Sequence, residues 1–353
     1  MTQTYLYSII DGGAQGALGV AGVDGTSPVR TLAHDGLGCV VSDYPGEEFN
    51  ALSREEVVRH LLAHQRVAEH LMRDHTVLPV RFGTLLNSPQ EALALLSQGR
   101  PVFAEAMAST RDRVELEVAA TWDANRVLRE TATDEEVARA REALPREPER
   151  QTLEQRVRLG QTVKACMDRR RDTYRDRMVD FLRPLAVDVA ANTLVSDEMV
   201  MNVALLIERS RQPEFEARVH QLDALFQNEI TFRVIGPLPP YSFCTVGVTR
   251  LTGEEIEEAW RRLRLTQPVS EAEVRRAYRR LTAQEQLHGG LVSDQLLRLR
   301  EASELLLRYC RARRVGAHPE DSAPLFDIEV IRRRSNEVRP SQFGAAIARS
   351  AVA

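Results

Sequence analysis

Two histidines stand one helical turn apart in a stretch that predicts a helix, and their spacing is the one most suggestive of metal chemistry. His60 and His64 are four positions apart, so their rings would lie on one face of the helix. A zinc site of the H-E-x-x-H type needs a glutamate directly after the first histidine, and this chain has Leu61 there. Because no third ligand is evident, we expect structural histidines and no bound metal.

Residues that could act in nucleophilic or acid–base catalysis do not form a motif. Ser242 lies between Tyr241 and Phe243 and is not part of a G-x-S-x-G sequence, the frame in which many hydrolases present a nucleophile. Asp and Glu are abundant, but no short segment isolates two of them in an apolar setting that would separate their pKa values. We therefore predict no catalytic residue, no cofactor and a protein that is not an enzyme.

A glycine-rich segment is the remaining candidate for ligand binding. Residues 11–25 read DGGAQGALGVAGVDG and include six glycines. The pattern is not G-x-G-x-x-G, and no clear helix follows it, so a phosphate-binding turn is not indicated. We expect a surface loop, and a small-molecule-binding or enzymatic α+β protein that uses this loop is the alternative function.

The composition is typical of a soluble globular protein with more than one domain. The chain has 353 residues, 43% hydrophobic and 28% charged, with a formal net charge of −4. A single core rarely exceeds about 250–300 residues, and this charge balance offers no general basic field for nucleic acid or an anionic membrane. The four cysteines are too far apart for a zinc site or a disulfide framework. We read no secretory signal and no bilayer-spanning run, and expect a cytoplasmic protein.

Strands and helices alternate along the part of the chain that would position these residues. In the first half, Ser53 and Glu56 form a capping box at the start of a predicted helix. The predicted strands there are 4–10, 29–33, 37–44 and 76–83, and the predicted helices are 53–73 and 88–99. In the second half, the predicted strands are 114–122, 199–207 and one from residue 230, and the predicted helices are two short ones within 123–144, then 151–182 and 213–227. This order indicates an α+β fold with split β-α-β sheets.

The long helix over 151–182 has two contrasting faces. Arginines and aspartates alternate from Arg169 to Asp180, which favours a solvated face of ion pairs, with a docking surface for an acidic partner as the alternative. The residues expected on its apolar face are Leu153, Val157, Val163, Met167, Tyr174, Met178 and Phe181.

The last hundred residues differ in character. Residues 251–316 read as three helices with Ser270 and Ser293 as N-caps, and residues 317–353 are expected to form a flexible tail. The segment VRRAYRRL places arginines beside an aromatic residue, as in some nucleic-acid-binding proteins. Glu271 and Glu273 lie just before it and would compete with phosphate groups for the arginines. We therefore predict no nucleic-acid partner.

The segment ITFRVIGPLPPYSFCTV, residues 230–246, begins as a strand and then changes. Ile230, Phe232 and Val234 alternate on one predicted face, and a glycine and three prolines then interrupt the pattern. Such a segment is ordered but poor in hydrogen-bond donors, so we expect it to provide shape and not chemistry. Tyr241 and Phe243 either close the core beneath the second sheet or contact a partner.

Two motifs, LPVRFGT (78–84) and GPLPPYSF (236–243), resemble those of the gas vesicle protein family GvpF/GvpL. With TYLYSII and NVALLI, the similarity in motif order covers about residues 4–248, although Leu238 stands where family members commonly have tryptophan. The motif residues, with a structural or partner-contacting role, are Arg81, Phe82, Gly83, Arg233, Gly236, Pro237, Pro239, Pro240, Tyr241 and Phe243.

The resemblance implies both a fold and a function. The implied fold has two ferredoxin-like α/β domains, at 1–110 and 111–250, with no known catalysis. The implied function is that of a minor component of gas vesicles or an accessory to their assembly. Its partners would be the small hydrophobic shell protein GvpA and other gas vesicle accessory proteins.

Residues 251–316 are also similar to the helical frame of a J-domain. A J-domain engages its heat-shock chaperone through a His-Pro-Asp loop, and here His288 is followed by Gly289 and Gly290. We therefore expect no stimulation of such a chaperone. The helical segment is expected to pack on the second α/β domain or to bind a partner.

Overall fold

The computed structural model divides the chain into two units. It describes residues 2–13, 15–46, 49, 51–145, 151–227, 229–266, 270–287, 293–314 and 324–332. Of these, residues up to Arg111 and from Cys244 onward form the first unit, and Asp112–Phe243 forms the second. The first unit is therefore discontinuous in sequence.

The elements before Asp112 belong to the first unit. Its first strands are β1 (Gln3–Asp11), β2 (Gly16–Ala21), β3 (Pro28–His34), β4 (Leu37–Tyr44), β5 (Val77–Pro79) and β6 (Leu85–Leu86). Its first helices are α1 (Arg54–Leu71) and α2 (Pro89–Thr110). The predicted capping box of α1 is confirmed, since Ser53 and Glu56 bond reciprocally.

The second unit contains four strands and four α-helices among its described residues. The strands are β7 (Arg113–Trp122), β8 (Ala186–Ala191), β9 (Met199–Glu208) and β10 (Ile230–Leu238). The helices are α3 (Ala124–Thr131), α4 (Glu135–Glu142), α5 (Leu153–Leu182) and α6 (Gln212–Leu225).

The chain then returns to the first unit with a strand, three helices and a final strand. They are β11 (Thr245–Leu251), α7 (Gly253–Leu263), α8 (Glu271–Leu287), α9 (Ser293–Arg314) and β12 (Leu325–Ile331). The three predicted helices and the cap at Ser270, which accepts from the Glu273 N–H, are confirmed. The side chain of Ser293 and the loop at His288 lie outside the described residues.

The first sheet is antiparallel, with the order β2-β3-β4-β1-β5, and β6 also pairs with β1. Strand β1 is central and its residues from Thr4 to Ile10 are buried. The side chains of Leu6 and Ile9 join a core with α2, including Leu95 and Phe103. The side chain of Tyr5 lies against His64 of α1, so the two helices contribute to different contacts of the same strand.

The expected flexible tail over 317–353 is wrong for Leu325–Ile331, which form β12. This strand pairs with β11 from Thr245↔Ile331 to Leu251↔Leu325, and Phe326 enters the core that contains Phe103. In the sequence, the charged Asp327 argues against a buried strand. In the structure, its carboxylate is buried in a salt bridge with Arg311 at 2.7 Å.

The three C-terminal helices belong to the first unit. The expectation that they pack on the second α/β domain is wrong. The reason is the strand pairing that brackets them. Val80, directly after β5, bridges to Val246 of β11 in parallel, and β12 returns to β11 after the helices. The Arg81 N–H also donates to the Val246 carbonyl at 2.9 Å.

The second sheet has the antiparallel order β10-β7-β9-β8. With helices between β7 and β8 and between β9 and β10, this is the β-α-β-β-α-β arrangement of ferredoxin-like domains. The expected α+β class is confirmed. Strand β8 was missed in the sequence, because its residues AVDVAA are short, alanine-rich and only partly buried.

The long helix α5 carries the predicted ion pairs, but its apolar face is only partly buried. Within the helix, Arg171 pairs with Asp168 at 2.8 Å and Arg175 with Asp172 at 2.6 Å. Arg170 instead pairs with Glu130 outside α5 at 2.9 Å. By contrast, Leu153 is 73% exposed and Val157 48%. The predicted broad apolar face is therefore wrong for the first turns of the helix.

The helix expected to end at Gly99 continues through Gly99 and Pro101 to Thr110. Both halves of α2 bury residues in one core, and this packing outweighs the local cost of the proline. Gly99 is required by a close approach, because a Cβ there would lie 2.3 Å from the ring of Phe103 and 2.8 Å from Cδ1 of Ile328.

Replacing Gly99 with alanine is therefore expected to destabilise the protein by about 1–3 kcal/mol through overpacking, although alanine normally favours a helix. Gly160 of α5 is the matched control, since a Cβ there would meet nothing within 4 Å. G160A is expected to add up to about 1 kcal/mol. Urea unfolding of both variants measures the difference, and a G99A variant as stable as G160A would contradict the packing at this position.

Candidate functional site: two motif loops

The LPVRFGT motif begins within β5 and continues as a loop. Backbone hydrogen bonds to β1 hold this loop in place. The Val80 N–H donates to the Tyr7 carbonyl at 3.0 Å, and the Leu6 N–H donates to the Thr84 carbonyl at 3.0 Å. Gly83 has a φ of +81°, a conformation that favours glycine, and its N–H donates to the Tyr5 hydroxyl at 3.2 Å. The motif glycine thus closes a turn against the central strand.

Phe82 is part of an aromatic cluster inside the first unit. Its ring centroid lies 5.0 Å from that of Phe49, 5.8 Å from that of His64 and 6.4 Å from that of Tyr5. We call this group the aromatic cluster, and its members are Tyr5, Tyr7, Tyr44, Phe49, His60, His64 and Phe82. Phe82 is half-buried among these rings, whereas the neighbouring Arg81 is exposed.

His64 is the titratable centre of the aromatic cluster. It is fully buried, and its Nδ1 lies 2.9 Å from the Tyr5 hydroxyl. Burial lowers the pKa of His64 to about 4, although an interaction with the Val80 backbone opposes this in part. The ring is therefore neutral at pH 7, and it shares a hydrogen bond with the Tyr5 hydroxyl through Nδ1.

The two histidines one turn apart are both engaged in other contacts. The Nδ1 of His60 donates to the Glu56 carbonyl at 2.7 Å, while the Nδ1 of His64 is hydrogen-bonded with the Tyr5 hydroxyl. In the part of the chain that the structure describes, no group of three or more His, Cys, Asp or Glu residues is arranged to hold a metal ion. The four cysteines, all within that part, are buried and form no disulfide.

The glycine-rich segment is in part a strand and not the expected surface loop. Gly16–Ala21 forms β2 at the edge of the first sheet. Beyond it, the Val23 N–H donates to the Tyr7 hydroxyl at 2.8 Å, and a Cβ on Gly22 would lie 2.7 Å from the same oxygen. Glycine is needed at position 22 for the chain to approach Tyr7.

The GPLPPYSF segment extends strand β10 further than the sequence predicted. Leu238 still pairs with Glu115 of β7, after a register irregularity that follows Ile235. Gly236 has a φ of +132°, and a Cβ there would lie 2.8 Å from the Glu115 carbonyl. Glycine therefore permits the irregularity next to β7. Pro237 is exposed, and the pair that follows Leu238, Pro239 and Pro240, is buried.

A buried carboxylate holds the end of this segment. Glu115 is 1% exposed. One of its oxygens accepts the Ser242 N–H at 2.7 Å, and the other accepts the Ser242 hydroxyl at 2.7 Å. Both the backbone and the side chain of Ser242 are therefore anchored by this carboxylate. Sequence reasoning missed Glu115, although a glutamate in an alternating strand beside buried positions was a signal for it.

The two aromatic residues of the motif occupy different environments. Phe243 is 5% exposed and packs with Ala190, Ala204 and Leu206, so it closes part of the core of the second unit. Tyr241 is only half-buried. A partner contact is compatible with Tyr241 and not with the buried ring of Phe243.

Strand β10 ends the second sheet on one side and presents an exposed edge. We call residues 231–236 the β10 edge. Val234 is 41% exposed, Phe232 and Ile235 are half-buried, and Arg233 is exposed. No salt bridge joins Arg233 to a carboxylate in the described ranges. The β10 edge thus combines apolar side chains with an available cation and the unpaired backbone groups of an edge strand.

Comparison with known proteins identifies the family. The sequence model described as "Gas vesicle synthesis protein GvpL/GvpF" matches residues 3–245. The chain belongs to the GvpL/GvpF family. All ten motif residues lie within the match, whereas most of the C-terminal segment of the first unit lies beyond it.

Similar proteins agree with this membership. Gas vesicle protein F of Streptomyces sp. (strain CB03234) is 31% identical over 220 residues, which are 62% of this chain and 89% of that protein. The crystal structure of GvpF from Microcystis aeruginosa matches with a TM-score of 0.57 at 25% identity, over 68% of this chain and 98% of that one. GvpF from Anabaena sp. PCC7120 matches in fold with a TM-score of 0.59 at 23% identity, over 69% of this chain and 98% of that one.

Membership of the GvpL/GvpF family supports a role in gas vesicle assembly, and the relatives carry the names of gas vesicle proteins, not of enzymes. Within the described residues, no helix is both long enough and apolar enough to cross a membrane.

Proposed function

We propose that this protein is a non-enzymatic assembly factor of gas vesicles that acts in the cytoplasm and at the vesicle, binds the hydrophobic shell protein GvpA and prevents its aggregation. Other gas vesicle accessory proteins would be further partners. Family membership supports the pathway. Both motif loops are built from turns, aromatic rings and backbone hydrogen bonds, which agrees with a binding role.

The β10 edge is the observation that carries the proposed binding role. An edge strand can pair with an extended segment of another chain through its free N–H and C=O groups. The apolar side chains of Phe232, Val234 and Ile235 would then meet the side chains of the added strand. A hydrophobic shell subunit that exposes strand edges before assembly has the chemistry that fits this surface.

The same edge carries features that limit pairing between copies of this chain. Arg233 places a positive charge on it, and Pro237 lacks the N–H that a continued ladder needs. Charges and prolines on edge strands are common means of preventing aggregation. A partner would therefore be bound over a short stretch, which suits a contact that must be released during assembly.

The test is the aggregation of GvpA on dilution from denaturant, followed by light scattering. The protein at an equimolar ratio is expected to suppress the scattering. V234D is expected to lose most of this effect, because a carboxylate on the β10 edge must be desolvated when the shell subunit pairs there. Val187 on β8, at the opposite edge of the same sheet, is 46% exposed and gives V187D as the matched control.

Both variants change exposed positions and are expected to melt within a few degrees of the parent protein. Suppression by the parent and by V187D, with loss in V234D, would support the proposal. Equal suppression by V234D would remove the β10 edge as the binding surface, and no suppression by the parent protein would reject the anti-aggregation role.

A further inference from the structure

Helix α8 carries four exposed arginines that have no carboxylate partner among the described residues. They are Arg275, Arg276, Arg279 and Arg280. In the same helices Arg262 pairs with Glu258 at 2.7 Å and Arg300 pairs with Glu304 at 2.8 Å. Unpaired positive charge is thus concentrated on α8.

The acidic residues expected to neutralise this helix are used elsewhere. Glu273 accepts hydrogen bonds from the Ser270 N–H at 2.8 Å and the Ser270 hydroxyl at 2.7 Å, and these bonds lower the pKa of Glu273. Glu271 pairs with Arg314 of α9 at 3.1 Å. Neither glutamate therefore forms a salt bridge with the four arginines of α8, although the charge of Arg276 also acts on Glu273.

Two of the four arginines line a groove between α8 and α9. The groove has a volume of about 570 Å³ and is bordered by Arg275 and Arg279 on one side and by Arg300 on the other. Tyr278, Ser303, Glu304 and Leu307 complete its lining. Glu304 is the single carboxylate in the lining, and Arg300 already pairs with it, so the charges of Arg275 and Arg279 are left uncompensated there.

We propose that this groove binds an acidic peptide segment of a partner protein. Arg275 and Arg279 are one helical turn apart, about 6 Å along the axis. They could therefore pair with two carboxylates one turn apart on a partner helix. Leu307 and the ring of Tyr278 would receive an apolar side chain between those carboxylates. The volume lies within the range of about 300–1,000 Å³ in which ordered ligands are bound.

Charge and shape favour a peptide over a nucleic acid. The whole chain has a formal net charge of −4, which disfavours a nucleic acid with many phosphates more than a short peptide with two carboxylates. A nucleic acid is held by cations that follow its phosphates over several nucleotides, whereas two groove arginines span one helical turn. The groove lies beyond the family match at 3–245, so the inference is independent of the proposed contact at the β10 edge.

The experiment uses the full-length protein and a fluorescein-labelled helical peptide that has glutamates one turn apart on either side of a leucine. Fluorescence anisotropy measures its binding, and the same peptide with glutamines replacing the glutamates measures the charge requirement. The variant R275E/R279E reverses the groove arginines. The matched control R276E/R280E makes the same change in net charge, on the same helix and at the same spacing, but at positions that do not line the groove.

R275E/R279E is expected to weaken peptide binding by tenfold or more, about the effect of losing one charge-assisted hydrogen bond. R276E/R280E is expected to weaken it by about threefold or less, through screened long-range charge alone. Binding of the glutamate peptide but not of the glutamine peptide, with this difference between variants, would support the proposal.

Three outcomes would overturn the proposal. The two double variants could lose affinity equally, the glutamine peptide could bind as well as the glutamate peptide, or no peptide binding could be seen at micromolar protein. A labelled single-stranded DNA oligonucleotide forms a further arm. Tighter binding of the oligonucleotide than of the peptide, with the same dependence on Arg275 and Arg279, would assign the groove to nucleic acid instead.

Discussion

Replacing Glu115 with alanine is expected to lower the free energy of unfolding by about 3–5 kcal/mol. Each hydrogen bond to a charged group contributes about 1.5–3 kcal/mol, and Glu115 accepts two from Ser242. The substitution would also leave the Ser242 N–H and hydroxyl buried without their acceptor. Denaturant unfolding monitored by circular dichroism measures the loss.

A double-mutant cycle separates this anchor from a general loss of packing. S242A removes the hydroxyl and keeps the backbone N–H, so E115A and S242A are expected to be strongly non-additive, with a coupling energy of about 1 kcal/mol or more. Glu208 at the end of β9 is exposed, and E208A should change stability by less than about 0.5 kcal/mol. Additive losses for Glu115 and Ser242 would show that the anchor does not act as described.

Stability is expected to fall by about 3 kcal/mol between pH 6.5 and pH 4 because of His64. Burial holds the pKa of this histidine at about 4 in the folded protein, against about 6.5 in an unfolded chain. The unfolded state therefore binds the proton more readily across this interval. The stabilisation is fully present above pH 6.5 and is lost progressively as the pH falls towards 4.

H64Q is expected to flatten this part of the profile, although it lowers stability at neutral pH by disturbing the aromatic cluster. The measurement is the free energy of unfolding from urea titrations at a series of pH values. Protonation of carboxylates affects both proteins, so the difference between parent and variant isolates His64. H220Q, at an exposed position on α6, is the control and should keep the profile of the parent. A parent slope that persists in H64Q would refute the assignment.

Local signals in the sequence were sufficient for elements with strong caps or long patterns. The start of α1 follows from the capping box of Ser53 and Glu56, which involves residues only three positions apart. Strand β12 and the second half of α2 do not follow from such local signals. Asp327 and Pro101 argue against these elements locally, and only burial against distant residues, such as Phe326 beside Phe103, outweighs them.

The motif loops also combine local features that can be recognised in the sequence with distant contacts that cannot. The sequence identified Gly83 and Gly236 as special, and their positive φ angles give the physical reason. It could not identify the groups that hold the loops, because Tyr5 is 78 positions from Gly83 and Glu115 is 127 positions from Ser242. Partners this distant are brought together only by the strand order of each sheet.

The most direct test of the proposed function is hydrogen–deuterium exchange of the protein with and without GvpA. If the shell protein adds a strand at the β10 edge, amides within residues 231–236 should exchange more slowly in the complex. Amides of β8, at the other edge of the same sheet, should be unchanged. A complex that forms while the amides of the β10 edge exchange as fast as in the free protein, or the absence of any complex, would contradict the proposed function.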